Sequence, residues 1–490
     1  MMKTHFAPVA GRSFLRYNQI VMNMQEGMRC MADQQKTYLF ESAPIPTAVA
    51  SLSVPTIISC LVSMFYSLAD TYFVGMLNDP VQTAAVTLAA TVLLAFNAVN
   101  NLFGVGSSSM MSRALGCGDM KTLRRSSAVG FYGALFSALI FSLLCTVFIR
   151  PLLAVLGADA VTAEPTRRYM FWTVTLGATP AILNVVMGFM IRSEGATLHA
   201  SIGTMSGCVL NMILDPIFIL PGMLNMGVEG AALATLISNC VACGYFFLYL
   251  LIKRGVTSVC ISIREFTFRR EIVGGICTVG IPAAIQNLLN VLSHTLLNNL
   301  AAPFGSEALA AMGIASKLGM VPWYIANGIS QGVMPLIGYN YAANKARRMK
   351  DALSFTIRVS QMILISMAVL MCVFSGRLMT LFMDDPQTVA YGEIFLRGLA
   401  LGTPFLAMDF LAVGVFQAVG KGSLSLVMAF FRKIVLEIPL TILLNVLYPL
   451  FGLSFAQLAA EIGMTVIGSF LLIRLLKQID LRLASGGNPA

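Results

Sequence analysis

Residues 49–76 read VASLSVPTIISCLVSMFYSLADTYFVGM, an apolar run broken by a single charge, Asp70, and a single proline, Pro55. Crossing the ~30 Å hydrocarbon layer takes ~20 such residues in a helix, so the stretch predicts a transmembrane span. Working outward, eleven comparable runs follow, near 84–111, 128–149, 169–191, 198–220, 229–252, 272–300, 308–337, 354–375, 392–416, 424–448 and 454–476. The whole chain agrees with this reading. Apolar residues make up 57%, charged residues 11%, and mean hydropathy is +0.80, against the roughly 25% charged residues of a soluble domain. A water-soluble fold is excluded, and the sequence predicts an all-α integral membrane protein of twelve helices.

The +10 net charge does not point to nucleic acid, because the basic residues are sorted by loop. Lys121, Arg124 and Arg125 follow span two, Lys253, Arg254, Arg264, Arg269 and Arg270 follow span six, and Lys345, Arg347, Arg348 and Lys350 follow span eight. The positive-inside rule assigns these loops and both termini to the cytoplasm. Arg150, Arg167 and Arg168, after span three, run against that trend. Residues 1–44 contain no apolar run suited to a signal peptide and read as a cytoplasmic tail, with Met24, Met28 and Met31 as alternative starts.

Sliding the chain on itself by about 225 residues brings like features together. Pro55 falls on Pro282, Gly106 through Gly116 on Gly332 through Ala342, Pro180 on Pro404, and Arg192-Ser-Glu-Gly195 on Gln417-Ala-Val-Gly420. Six spans per half make two pseudo-symmetric six-helix bundles, with an N-lobe at 45–255, a linker at 256–271, a C-lobe at 272–478 and a tail at 479–490. Parallel repeats of this kind can rock about a shared cleft. Pro55 removes a backbone donor inside span one and invites a bend there; the competing reading is a static kink.

Ionisable side chains inside spans are costly and therefore informative. In the first half they are Asp70 in span one and Asp215 in span five, with Asn211 one helical turn before Asp215. Counting ~1.5 Å per residue from the outer ends of their helices, Asp70, Asp215 and Thr235 of span six all sit ~8 Å deep. Two carboxylates, an amide and a hydroxyl are hard ligands for a small cation such as Na+. Close carboxylates in a low dielectric can instead retain a proton. The competing reading has both acids merely bonding neighbouring helices. The second half offers another polar set: Asp409, Glu437, Glu461 and Lys317, with Gln286, Asn290 and His294 on span seven. An ion pair from Lys317 to Glu437 or Glu461 is expected. The spacing of the cysteines suggests no metal site, and no hydrolase triad, zinc motif or phosphate loop suggests an enzyme.

Over residues 40–480 the sequence resembles the multidrug and toxic compound extrusion (MATE) transporters of the DinF and MepA-like prokaryotic branch. The resemblance rests on Leu68-Ala-Asp70-Thr-Tyr-Phe-Val-Gly75, Arg113-Ala-Leu-Gly116, Asn211-x-x-x-Asp215-Pro216, Gly230-Ala-Ala-Leu-Ala-Thr235 and Gln331-Gly-Val-Met-Pro335. It implies a V-shaped pair of lobes in the bacterial inner membrane. These would export cationic and amphipathic small molecules by antiport with H+ or Na+, with no cofactor, as a monomer among membrane lipids. It also implies a cation site at Asp70, Asn211, Asp215 and Thr235, and a bending role for Pro55. Two departures stand out: Asn290 lies near the place of a seventh-helix Glu in the sodium-type branch, and Gly188 aligns with a fourth-helix Glu of some members. The rival readings are a flippase for lipid-linked precursors, and a channel or receptor.

Overall fold

The computed structural model describes residues 38–77, 79–220, 222–382 and 385–484, and among them every regular element is helical. Twelve long rods account for most of the chain. The first six are α1 (Ile45–Gly75), α2 (Pro80–Gly116), α3 (Met120–Val147), α4 (163–193), α5 (Thr197–Ile219) and α6 (Gly227–Ile252). The second six are α7 (Arg270–Ala301), α8 (Ser306–Ala342), α9 (Ala346–Val373), α10 (Pro386–Ala418), α11 (422–447) and α12 (Gly452–Ala484). Among the described residues nine helices are long and apolar enough alone to cross a membrane, and α4, bent by 47°, makes a tenth. A π turn at Phe431–Glu437 interrupts α11 and carries Arg432, Lys433 and Glu437. Large apolar side chains such as Leu143, Val147, Val466 and Phe470 stay more than 60% exposed, as expected of surfaces that face lipid rather than water.

Local chemistry sets the helix ends. Asp79 accepts the Val81 amide at 2.9 Å, Asp119 the Thr122 amide at 3.0 Å, and Asp385 the Thr388 amide at 2.7 Å, each satisfying a donor that a helix start leaves free. Left-handed backbone recurs at matching turns of the two halves, with Gly118 (φ 72°) answering Asn344 (59°), Gly195 (88°) answering Gly420 (79°), and Asn225 (51°) answering Leu450 (70°). The repeat therefore extends to backbone conformation.

The prolines of the two first helices play corresponding parts. Pro55 has no N–H for the Ser51 carbonyl, and the Thr197 hydroxyl at the start of α5 donates to that oxygen at 3.0 Å. Pro282 likewise frees the Thr278 carbonyl, and Gly422 at the start of α11 lies so close that a Cβ there would sit 1.9 Å from that oxygen. In each half, the vacancy left by the proline lies beside the start of the fifth helix.

Lys345, in the α8–α9 turn, pairs with Glu41 before α1, and Lys350 in α9 pairs with Asp480 near the end of α12. Both ends of the described chain thus lie on one face, which also carries the basic loops and is called the basic face below. On the opposite face Arg167 and Arg168 are neutralised by Glu164 and Glu229, at 2.7 to 3.0 Å. Two of the three arginines that ran against the charge trend therefore add no net charge to that side. Arg167 first and then Arg168 hold the Glu164 carboxyl down at about 2.

The two halves meet closely on the basic side. A Cβ on Gly332 of α8 would lie 2.6 Å from the Ser53 Cα of α1, and one on Gly280 of α7 would lie 2.0 Å from the Leu102 carbonyl of α2. Backbone contact this tight needs glycine. The linker after α6 is fastened to the first half: Thr257 and the Ser258 amide donate to buried Glu194 at 2.9 and 2.7 Å, and Tyr132 donates to the Ile261 carbonyl at 2.9 Å. Residues 38–44, read from sequence as the end of a tail, are packed against the body, with Phe40 and Ala43 fully buried. Residues 1–37 of that tail lie outside the described residues.

Candidate functional site

Three helices of the first half, α1, α5 and α6, pack side by side, and their polar side chains converge. Asn211 and Asp215 share one face of α5 and are 1% and 0% exposed. With its nitrogen turned toward Asp215, the Asn211 amide donates to Asp215 Oδ2 at 2.7 Å and Oδ1 at 3.2 Å. Its oxygen then accepts from the Thr235 amide at 3.1 Å and the Thr235 hydroxyl at 3.3 Å. Asn211 thereby bridges α5 to α6. Pro216 follows Asp215 directly and has no N–H for the Met212 carbonyl one turn back, which adds a free backbone acceptor to this stretch of α5.

Asp70 enters from α1, and its Oδ1 is buried without a hydrogen-bond partner. Asp215 lies within coulombic range of it across the α1–α5 contact. The Tyr66 phenol, one turn before Asp70, and the buried Tyr169 phenol at the start of α4 stand near both acids, and Tyr66 also lies close to Thr235. The structure thus draws together Asp70, Asn211, Asp215 and Thr235, and adds Tyr66 and Tyr169, which the sequence reading passed over. Tyr66 was legible as the i−4 neighbour of Asp70, whereas Tyr169, a hundred residues on, carried no signal. Among the described residues neither Asp70 nor Asp215 forms an ion pair. Gly188 of α4 packs 3.6 Å from the Phe246 ring and 3.7 Å from Thr204, measured from where a Cβ would stand, and contributes no acid.

The second half is built differently. The Arg432 guanidinium lies between Asp409 of α10 and Glu461 of α12, bonding one carboxylate through each terminal nitrogen. Lys433 holds Glu437 at 2.6 and 2.7 Å, and the Ser293 hydroxyl of α7 also donates to Glu437. Asp409, Glu461, Arg432 and Lys433 are all less than 10% exposed. Three carboxylates against two cations leave one negative charge, or one proton, in the cluster.

The expected pairing of Lys317 with Glu437 or Glu461 is corrected here. Lys317 is exposed on α8, and the partners of those acids are Arg432 and Lys433. These two cations, inside a mostly apolar run, were missed because the averaged hydropathy of the span absorbs them. The π turn brings both to the interior, which a regular 3.6-residue period does not anticipate. Gln286 and Asn290 are half-buried on α7, and among the described residues no hydrogen bond joins them to the cluster. The His294 side chain lies outside the described residues. None of the described His, Cys, Asp and Glu side chains group into a three-ligand metal site.

Comparison with known proteins agrees with this architecture. The MatE family profile matches the chain twice, at residues 55–217 and 282–443, one match per half and each beginning at the proline of a first helix. The chain is 32% identical over 448 residues to the multidrug export protein MepA of Staphylococcus aureus strain MRSA252, covering 91% of this chain and 97% of that protein. It is 32% identical over 449 residues to MepA of Staphylococcus saprophyticus, with the same coverage. A solved structure described as the outward-facing conformation of a multidrug resistance MATE family transporter of the MOP superfamily superposes with a TM-score of 0.85 at 25% identity, covering 91% of this chain and 98% of the other. With a repeated family match, full-length relatives above 30% identity and the shared fold, the chain is a MepA-like member of the MatE family of membrane transporters.

Proposed function

We propose that the protein is a secondary multidrug exporter, moving cationic and amphipathic small molecules out of a bacterium by antiport with H+ or Na+ taken up at Asp70 and Asp215. One observation carries the reading: among the described residues these two neighbouring carboxylates form no ion pair, while the acids of the second half have Arg432 and Lys433. A buried pair of carboxylates is stable only when it gains positive charge. The coupling ion supplies that charge from one side of the membrane and carries it to the other. Asn211 and Thr235 fix the geometry of Asp215, and the unpartnered Asp70 oxygen is the position open to the ion.

The coupling works through α1. Ion binding draws Asp70 toward Asp215, and the shift of α1 in the cleft between the lobes weakens the hold on substrate. Each unit charge moving through 100 mV gains ~2.3 kcal/mol, enough for roughly fifty-fold accumulation of a neutral substrate. Sidedness follows from charge, with the basic face in the cytoplasm of the plasma membrane. With that face in the cytoplasm, the tight seam there supports reading the described state as outward-facing, as one MATE neighbour is described. The chain acts as a monomer surrounded by lipid.

The test is drug efflux from proteoliposomes under separately imposed Na+ and H+ gradients, with Asp70→Asn and Asp215→Asn in parallel. Each substitution is expected to abolish gradient-driven efflux while leaving a folded protein. Normal pumping by both variants overturns the assignment.

A further inference from the structure

We infer that residues 38–43 form a latch across the basic-face seam, which has to be released before the two lobes can part on that side. The inference rests on the exporter reading above, in which the lobes must part on the basic face to admit substrate, and adds the element that holds that face shut.

The segment is a short π turn, Tyr38–Ser42, leading directly into α1 of the first lobe. Its polar contacts go to the other lobe. The Arg348 guanidinium of α9 donates to the carbonyls of Phe40 at 2.6 Å, Ala43 at 2.7 Å and Leu39 at 3.3 Å, collecting the acceptors that the turn leaves open. Asn340 of α8 donates to the Phe40 carbonyl at 3.2 Å. The Glu41 carboxylate accepts the Tyr339 hydroxyl at 2.7 Å and pairs with Lys345 at 2.6 Å. Residues 339, 340, 345 and 348 all belong to the second lobe.

Phe40 binds both sides. It is fully buried, and its ring stacks on Tyr339 with centroids 4.8 Å apart and planes 13° from parallel. Its other edge meets the α4–α5 turn, where a Cβ on Gly195 would stand 3.0 Å from the ring. One ring is thus clamped between the first lobe and the second. The peptide chain ties the segment to α1, while two charge-assisted sites and a stacked ring tie it to α8 and α9. Separation of α1 from α8 at Gly332 has to pull the segment from one of its two anchors. Hydrogen bonds to charged groups and stacked rings are each worth more than an ordinary contact, so losing one has a measurable effect on the equilibrium.

The experiment uses the full chain in lipid nanodiscs, without drug or ion gradient, and reads amide hydrogen exchange at residues 49–57 of α1 and 328–340 of α8. Phe40→Ala and Glu41→Lys are each expected to raise exchange there by about tenfold, equivalent to ~1.4 kcal/mol, without raising it at residues 64–75 near the opposite face. Glu41→Lys combined with Lys345→Glu re-forms the ion pair with its charges exchanged and should bring the seam back to within about twofold of the parent chain. Unchanged exchange in both single variants, failure of the exchanged pair to restore protection, or a rise spread evenly over both lobes overturns the latch. Because no substrate is involved, loss of the latch is separable from failure of the antiport reading. Asp70→Asn could pump normally with the latch intact, and the latch could prove absent in a chain that still pumps through Asp70.

Discussion

Arg432→Met is the most demanding test of the contrast between the two halves. The guanidinium separates two carboxylates that are 2% and 1% exposed, Asp409 and Glu461. Methionine preserves much of the volume and removes the charge. The cluster then holds three acids and one cation, one negative charge more than before. Breaking a buried pair in this way typically costs ~3–5 kcal/mol. The alternative open to the protein is to take up one proton, which for a glutamic acid with an ordinary value near 4.3 costs ~3.7 kcal/mol at pH 7 and ~1 kcal/mol at pH 5. The penalty therefore grows with rising pH and shrinks on acidification, opposite in sign to the acid lability of an intact carboxylate ion pair. Thermal unfolding in detergent at pH 5, 6 and 7 measures this, with the parent chain at each pH as reference. The deficit of the variant should be largest at pH 7 and smallest at pH 5. The double variant Arg432→Met with Glu461→Gln restores the original charge balance and should recover most of the loss. A deficit below ~1 kcal/mol at pH 7 with no relief at pH 5 would refute the view that this cluster is closed by its own cation.

Three further outcomes follow. Glu41 is held below the ordinary carboxylate range by hydrogen bonds from Lys345 and Tyr339, with the charges of Lys345 and Arg348 adding to them; the stability it confers is present above that range and lost as pH falls below it through the lowered folded value, so the difference in unfolding midpoint between the parent chain and Glu41→Gln should shrink steadily as pH falls below about 4.3. Thr197→Val leaves the part-buried Ser51 carbonyl without that donor and should destabilise the protein by ~0.5–1.5 kcal/mol; Pro55→Ala supplies an amide to that carbonyl, so a double-mutant cycle on unfolding free energies should show the pair to be non-additive. Gly332→Ala forces a Cβ to within 2.6 Å of Ser53 Cα and should cost ~1–3 kcal/mol, appearing as faster amide exchange in α1 and α8; no change would refute the claim that this contact needs glycine.

Much of this was legible in the sequence because membrane spans and duplications are one-dimensional signals. A run such as 49–76 has to be helical to satisfy its backbone in lipid, and the recurrence of Pro55 as Pro282 needs only an offset to be seen. Asn211, Asp215 and Thr235 could be brought together by depth alone, since a helix converts residue count into ångströms. Arg432 and Lys433 were missed for the converse reason. Their partners lie 23 and 29 residues away for Arg432, and their direction depends on a π turn that residue counting does not detect. Lys317 was expected to pair with Glu437 or Glu461, but it stands on the exposed face of α8; a place within a span does not say which way a side chain points. The latch residues were hidden for yet another reason, because Phe40 and Glu41 precede the first span in a stretch with no periodicity and acquire meaning only from Tyr339 and Arg348, three hundred residues on.

The proline-vacated carbonyl of α1 has a mechanical consequence. Because Thr197 fastens Ser51 sideways to the start of α5, the portion of α1 before Pro55 is pinned and any flexure has its fulcrum at the proline. Asp70 then sits at the tip of an arm ~22 Å long, fifteen residues at ~1.5 Å each, and a tilt of only ~10° sweeps its carboxylate through ~4 Å. That travel exceeds the reach of a single ligand bond, so a modest angular change at one residue suffices to make or break the shared ion position.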